Sequence, residues 1–241
     1  MRIVFLGPPG AGKGTQAVRI CRDRRIPHIS TGNLLRDEIA KGTATGLMAR
    51  AYMDRGLLVP DTLMMATVAA KLRDRSCRRG FLLDGFPRSL NQAIALDEHV
   101  KRKRMPLIDV VIHFRVPEEV VIRRLTGRRV CQKCGANFHL HRDRPAAEGH
   151  CDKCGGDLSQ RKDDTLRTVL RRLQVFEEEM SRVLQYYQNR SLLRDVQADQ
   201  EIADVYHSVR TAIAAGWKAA QSKPSTSRRM PASRSVRVVH A

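Results

Sequence analysis

Short apolar runs alternate with longer amphipathic stretches along this chain, and the alternation predicts a layered α/β molecule. "RIVFL" (Arg2 to Leu6) has the length and β-rich character of a parallel strand buried on both faces. A glycine-rich segment follows, and from Lys13 on the pattern turns helical. A short strand ends near Ser30, where Ser30 or Thr31 is placed to cap a new helix that carries Arg36 a turn or so later. "GFLLD" predicts a strand that ends in Asp84, "DVVIHFRVP" (109–117) another, and "LLRDVQADQ" the last strand with its loop. Ahead of that strand, Val169, Leu173, Phe176, Met180, Val183 and Tyr187 recur at helical spacing. They predict an amphipathic helix facing the core, with Asp163 or Asp164 as its N-cap.

Strand, glycine loop and helix in that order give "GPPGAGKGTQ" a specific meaning. Gly7, Gly10, Gly12 and Gly14 let backbone N–H groups converge with no Cβ in the way. The helix behind them offers its N-terminus to an anion, and Lys13 adds a full charge. This is a phosphate loop, with one departure: Gly14 stands between Lys13 and Thr15, where a generic loop has Ser or Thr directly after the lysine. Asp84, at the carboxyl end of a strand, sits where ligands bind in open α/β sheets. A carboxylate there holds Mg²⁺ through water or simply ends the strand in a turn.

Composition sharpens the partner class. The 241 residues suit one domain of moderate size with inserted subdomains, and 42% hydrophobic content excludes overall disorder. The formal net charge of +19 favours anionic partners. Part of it is local: "SKPSTSRRMPASRSVRVVHA" (222–241) has five basic and no acidic residues and reads as a disordered basic tail, with +14 left on the body. Such a tail is suited to weak binding of nucleic acid or a membrane surface. "MRIVFLG" is too short for a signal sequence, and no apolar run nears the length of a membrane span, so a cytoplasmic protein is expected.

Six cysteines are present, and four form two Cys-x-x-Cys pairs, Cys131/Cys134 and Cys151/Cys154, with 16 residues between them. Four thiolates make a closed, structural zinc set that leaves no ligand position for water. His139, His141 and His150 lie nearby as possible substitutes. The segment 127–164 is too short for a hydrophobic core of its own, so bound metal would supply folding free energy there.

"GPPGAGKGTQ", "PHISTGNLLR" (27–36), "GLLVPD" (56–61), "GFLLDGFPRS" (80–89), "RLTGRRV" (124–130) and "QRKDD" (160–164) follow one another in the order found in adenylate kinases. From Met1 to about Trp217 the chain resembles that family, in its long-lid form with four cysteines in the lid. The resemblance implies a P-loop fold with a five-stranded parallel sheet flanked by helices. The core would be 1–29, 60–126 and 165–221, with a monophosphate-binding segment at 30–59, a zinc-binding lid at 127–164 and the tail beyond.

The resemblance also implies roles. Gly10, Ala11, Gly12, Lys13, Gly14 and Thr15 would hold ATP, with Arg128, Asn137, Phe138 and Gln200. Thr31, Arg36, Leu57, Leu58, Val59, Gly85, Phe86, Pro87, Arg88, Gln92, Arg161 and Arg172 would hold AMP, Gln92 reading its adenine. Lys13, Arg88, Arg124, Arg128, Arg161 and Arg172 would surround the transferring phosphoryl group, with Asp84 taking Mg²⁺ through water. Arg123, Arg129, Arg167 and Arg171 are expected to face solvent. Asn33, where many members have Asp, and Gln197-Ala198, commonly Asp-Gly, depart from the pattern.

The expected reaction is ATP + AMP ⇌ 2 ADP with Mg²⁺, by a monomer. Such a transfer needs charge neutralisation, in-line positioning and exclusion of water more than it needs a base, since the acceptor phosphate is already anionic. A kinase for another nucleoside monophosphate, or one using GTP, is the neighbouring reading. A nucleic-acid-binding zinc protein is a distant one: residues 127–164 hold eight basic and six acidic residues and one aromatic platform, Phe138.

Overall fold

In the computed structural model, which describes residues 1–103 and 107–222, the predicted strands form one twisted layer. The tail expected at 222–241 lies, beyond Ser222, outside the described residues. The strands are β1 (Arg2–Leu6), β2 (His28–Ser30), β3 (Phe81–Asp84) and β4 (Val110–Arg115). After a smaller sheet of β5 (Arg128–Cys131), β6 (Asn137–His139) and β7 (Leu158–Ser159) comes β8 (Leu193–Gln197). The main sheet is parallel, in the order β2-β3-β1-β4-β8. Its register sets Val4 beside Leu83 and Val111, and Ser30 beside Asp84. Ser30, Asp84 and the loop after Leu6 therefore end up along one edge.

Alternate residues of β1 feed two cores, as the pleat requires. Ile3 and Phe5 pack with Ile112, Ile20 of α1 (Lys13–Arg24) and Ile213 of α8 (Ile202–Ser222). Val4 and Leu6 pack on the other face with Val68 of α4 (Asp61–Leu72), Leu96 of α5 (Leu90–Arg102) and Val183 of α7 (Leu166–Gln188). Fully burying each such side chain contributes roughly 1.5–3 kcal/mol. Gly7 makes the turn out of β1 possible: it sits at φ +141°, and a Cβ there would lie 2.8 Å from the Phe114 carbonyl oxygen.

Two pieces stand apart from the sheet. α2 (Thr31–Ala40) and α3 (Ala44–Met53) pack on each other between β2 and α4. The small sheet, antiparallel in the order β6-β5-β7, follows α6 (Glu118–Thr126). Its own core is Cys131, Phe138 and Cys151 with Ala136, Cys154 and Leu158 around them, which is too few groups to hold it without a cross-link.

Two capping expectations are corrected. Ser30 occupies the N-cap of α2, but its side chain makes no capping bond, and Thr31 is already helical. α7 is capped by Thr165, whose hydroxyl accepts from the Thr168 N–H; Asp163 and Asp164 lie one step earlier, in a 3₁₀ turn. Arg123, Arg167 and Arg171 are exposed as expected. Arg129 is half-buried instead, donating to the carbonyls of Thr126 (3.2 Å) and Arg128 (2.8 Å).

Candidate active site

A cleft of about 890 Å³ opens at the carboxyl ends of the strands, between the phosphate loop, α2 and α3, and the small sheet. On its floor α1 begins after Gly12 (φ +89°) with no side-chain cap, so its first amides point into the cleft unpaired by side chains. Lys13 folds back over its own loop, donating from Nζ to the carbonyls of Gly7 and Pro8, both at 2.7 Å. Burial lowers its ammonium to about 8, with Asp84 opposing and Arg88, Arg172 and Arg128 adding to the fall.

Asp84 stands against this loop: a Cβ on Gly14 would lie 3.6 Å from its Oδ2. That oxygen is bonded to His28 Nε2 at 3.0 Å, while Oδ1 makes no hydrogen bond among the described residues. One committed and one open carboxylate oxygen beside an anion site fits a hydrated Mg²⁺.

The arginines converge from four elements, α2, α6, β5 and α7, and from two loops, which carry Arg88 and Arg161. Arg36 on α2 donates to Asn33 Oδ1 at 2.8 Å. Arg88, before α5, donates from Nε to the Gly85 carbonyl at 2.7 Å, and burial, with Arg172 next, lowers it to about 10. Arg124 of α6 reaches the Ala198 carbonyl at 2.8 Å. Arg128 makes a bidentate pair with Asp164, at 2.8 and 2.6 Å. Arg172 donates to the same carboxylate at 3.2 Å and pairs with Asp163 at 3.2 Å. Arg161 reaches Asn137 at 3.4 Å, and burial with Arg128 and Arg36 nearby lowers it to about 9. Guanidiniums depressed this far mark a site short of negative charge.

Asp163 and Asp164 supply the negative charge at the lid side of the cleft, with Asp84 opposite them beside Lys13 and Arg88. Asp164 is fully buried. Burial alone would raise the Asp163 carboxyl, but Arg172, Arg36, Arg128 and Arg161 hold it below its ordinary value.

Gln92 is buried and held at both ends. Its Oε1 accepts from the Arg88 N–H at 2.8 Å and its Nε2 donates to Asp61 at 2.7 Å, while Ser89 donates to the other Asp61 oxygen at 2.9 Å.

Of the residues expected to bind nucleotide, most line this cleft: Gly10 to Gly14, Thr15, Arg36, Leu57, Leu58, Val59, Gly85, Pro87, Arg88, Gln92, Arg124, Arg128, Asn137, Phe138, Arg161, Arg172 and Gln200. Thr31 and Phe86 lie behind its wall. Thr31 is fully buried and donates to the Gly85 carbonyl at 2.9 Å, and the Phe86 ring belongs to the core. The sequence pattern does not point to Asp61 or His28, and it offers Asp163 and Asp164 only as a helix cap. The arginine-flanked Asp163-Asp164 pair was the available signal.

In the small sheet the sulfurs of Cys131, Cys134, Cys151 and Cys154 all lie within 4.8 Å of one another. Cys131 and Cys154 are 3.4 Å apart, and Cys134 and Cys151 3.6 Å. Tetrahedral zinc with sulfurs at about 2.3 Å needs edges of about 3.8 Å, so these thiols fit it. The histidines take no part: His139 faces the Arg123 carbonyl (3.2 Å) and His150 lies 3.8 Å from Asp157.

Comparison with known proteins gives the same direction. The family model "Adenylate kinase" matches residues 5–192. A protein named adenylate kinase from Desulfitobacterium hafniense (strain DSM 10664 / DCB-2) is 49% identical over 209 residues, 87% of this chain and 96% of the relative. Others of that name, from Archaeoglobus fulgidus and Clostridium tetani, are 47% and 46% identical, covering 87% and 89% of this chain and 96% and 99% of their own lengths.

Proposed function

The chain belongs to the adenylate kinase family, and from that premise we propose how its residues divide the reaction ATP + AMP ⇌ 2 ADP. The amides at the start of α1 and Lys13 hold the donor phosphates. Arg36 and Arg88 hold the monophosphate, with Leu57 to Val59 and Gln92 around its base. Arg124, Arg128, Arg161 and Arg172 close on the transferring group. The observation that carries this assignment is the convergence of Lys13, Arg36, Arg88, Arg124, Arg128, Arg161 and Arg172 on one cleft beside the open start of α1. Cations so placed neutralise polyphosphate charge and meet the equatorial oxygens of the transferring phosphoryl group, over which the transition-state charge is spread.

Gln92 supports adenine as the acceptor base. Asp61 can only accept, so it fixes which end of the carboxamide is the donor. Mg²⁺, when bound with ATP, neutralises phosphate charge; Asp84, through Oδ1 and water, is the group that would hold it. Zinc on the four cysteines cross-links the sheet that carries Arg128 at its start and leads to Arg161.

The core sheet, the α2–α3 segment (30–59) and the zinc sheet (127–164) then act as base, monophosphate arm and lid. Closure of the two arms excludes water and commits the phosphoryl group to AMP. The described cysteines are all free thiols, which suits a zinc site and a reducing, cytoplasmic setting, with the protein working as a monomer. No described helix is long and apolar enough to cross a membrane.

Lys13→Ala tests the assignment in a coupled assay of ADP formation. Loss of one such charge should lower kcat by about 10²–10³ with the melting temperature preserved. Turnover near that of the parent would overturn it.

A further inference from the structure

Gly127 stands at the root of the lid, between the last turn of α6, which carries Arg124, and the start of β5 at Arg128. Its φ of -82° is one that any residue adopts, so the backbone does not ask for glycine there. Space does. A Cβ on Gly127 would lie 2.6 Å from His139 Nε2 and 2.7 Å from its Cε1, while the next neighbour, the Arg123 carbonyl oxygen, is a milder contact at 3.2 Å. His139 lies on β6, directly across from Arg128.

The imidazole is held in place, because backbone groups from two segments engage both of its nitrogens. Nδ1 accepts from the His141 N–H at 3.1 Å, so the proton sits on Nε2. Nε2 in turn donates to the Arg123 carbonyl at 3.2 Å, the same oxygen that accepts the Gly127 N–H. Burial, with His141, Arg142 and Arg123 nearby, holds His139 below its ordinary pKa and so in the neutral form that these two bonds need, the Arg123 carbonyl opposing. A ring thus joins the end of α6 to the lid strand β6. The Leu140 N–H reaches the Gly127 carbonyl at 3.0 Å and closes the other side of the joint.

We propose that His139 is a positioning residue for phosphoryl transfer: it pins the root of the lid to α6 and so fixes Arg128 relative to Arg124, with Gly127 kept bare to admit the ring. The inference rests on the reading of Arg124 and Arg128 as groups that close on the transferring phosphoryl. Arg124 precedes the pinned turn and Arg128 follows it, so a displaced ring moves one guanidinium against the other. A misplacement on the order of 1 Å costs about 10²-fold in rate at such a site. The AMP side of the cleft, built on α2 and the loop before α5, shares no element with this joint.

The test uses the full-length protein. Long-range ¹⁵N–¹H NMR of the parent should find the His139 proton on Nε2 at neutral pH; a proton on Nδ1 overturns the proposal whatever the variants do. In coupled assays of ADP formation, His139→Ala and Gly127→Ala should each lower kcat about 10–100-fold, with KM for AMP and zinc content as in the parent. In the double variant Gly127→Ala/His139→Ala the added methyl meets no ring, so kcat should match that of His139→Ala alone. Losses that multiply in the double variant, or a Gly127→Ala variant as fast as the parent, overturn the proposal. So does a fall accompanied by loss of zinc, which would make His139 a prop of the lid fold alone. Arg128→Ala separates this inference from the reading beneath it. If Arg128→Ala lowers kcat and His139→Ala does not, the proposal falls and the arginine reading stands; if neither lowers it, both fall.

Discussion

Asp164→Asn probes the feature on which the arginine cluster rests. The carboxylate is fully buried and accepts three hydrogen bonds, two from Arg128 at 2.8 and 2.6 Å and one from Arg172 at 3.2 Å. Asn keeps the shape and one acceptor but removes the charge and turns the second position into a donor facing a guanidinium. Breaking a fully buried pair costs about 3–5 kcal/mol. Here the two guanidiniums are 21% and 20% exposed, so water recovers part of the loss and the lower end, about 3 kcal/mol, is expected. For a chain of this size that is a fall in melting temperature of about 6–12 °C, read by differential scanning calorimetry. Saturating ADP offers phosphate oxygens to the same arginines, so the gap to the parent should narrow with nucleotide. Turnover should also fall, about 10²-fold, because Arg128 and Arg172 lose the group that aims them. A variant melting within about 1 °C of the parent without nucleotide would refute the idea that Asp164 is their anchor.

Lys13 gives a pH dependence. Its ammonium is lowered from 10.5 to about 8 in the fold, so between those values the unfolded chain binds the extra proton, and the lysine's contribution to stability rises with pH across that window. Donor kcat/KM should fall above about 8 as the free enzyme loses the charge; a profile flat to 10.5 would sink this reading. Cys131→Ser should lower the melting temperature, as should chelator on the parent, with equimolar zinc by metal analysis; indifference to chelation would mean the four sulfurs are not a metal site. Gly46→Ala would bring a Cβ to 2.2 Å from the Glu38 carbonyl oxygen, forcing α2 and α3 apart, so KM for AMP should rise more than KM for ATP in initial-rate assays.

What could be read ahead of the structure, and what could not, follows from the range of each interaction. β1, its glycine loop and the start of α1 were legible because strand, turn and helix chemistry are all local and agree with one another. The four cysteines were legible because ligand spacing is local too, although only the fold brings Cys134 within 3.6 Å of Cys151. Asp163 and Asp164 were read as a helix cap, which is their most local use. Their partners, Arg128 and Arg172, are 36 and 8 residues from Asp164, and no periodicity reports such a pairing. Asp61 is hidden in the same way, 31 residues from Gln92. In each case a short polar side chain had two possible employments, a nearby amide or a distant charge, and the distant charge won because it is buried. An unpaired amide at the exposed start of α7 can turn to water or to Thr165, whereas a guanidinium enclosed in the cleft has only a carboxylate or a phosphate to meet. The carboxylates that the local pattern assigns to capping are thus the groups that hold Arg128 and Arg172 in place, and in the proposed division of the reaction they belong to the site as much as the arginines do.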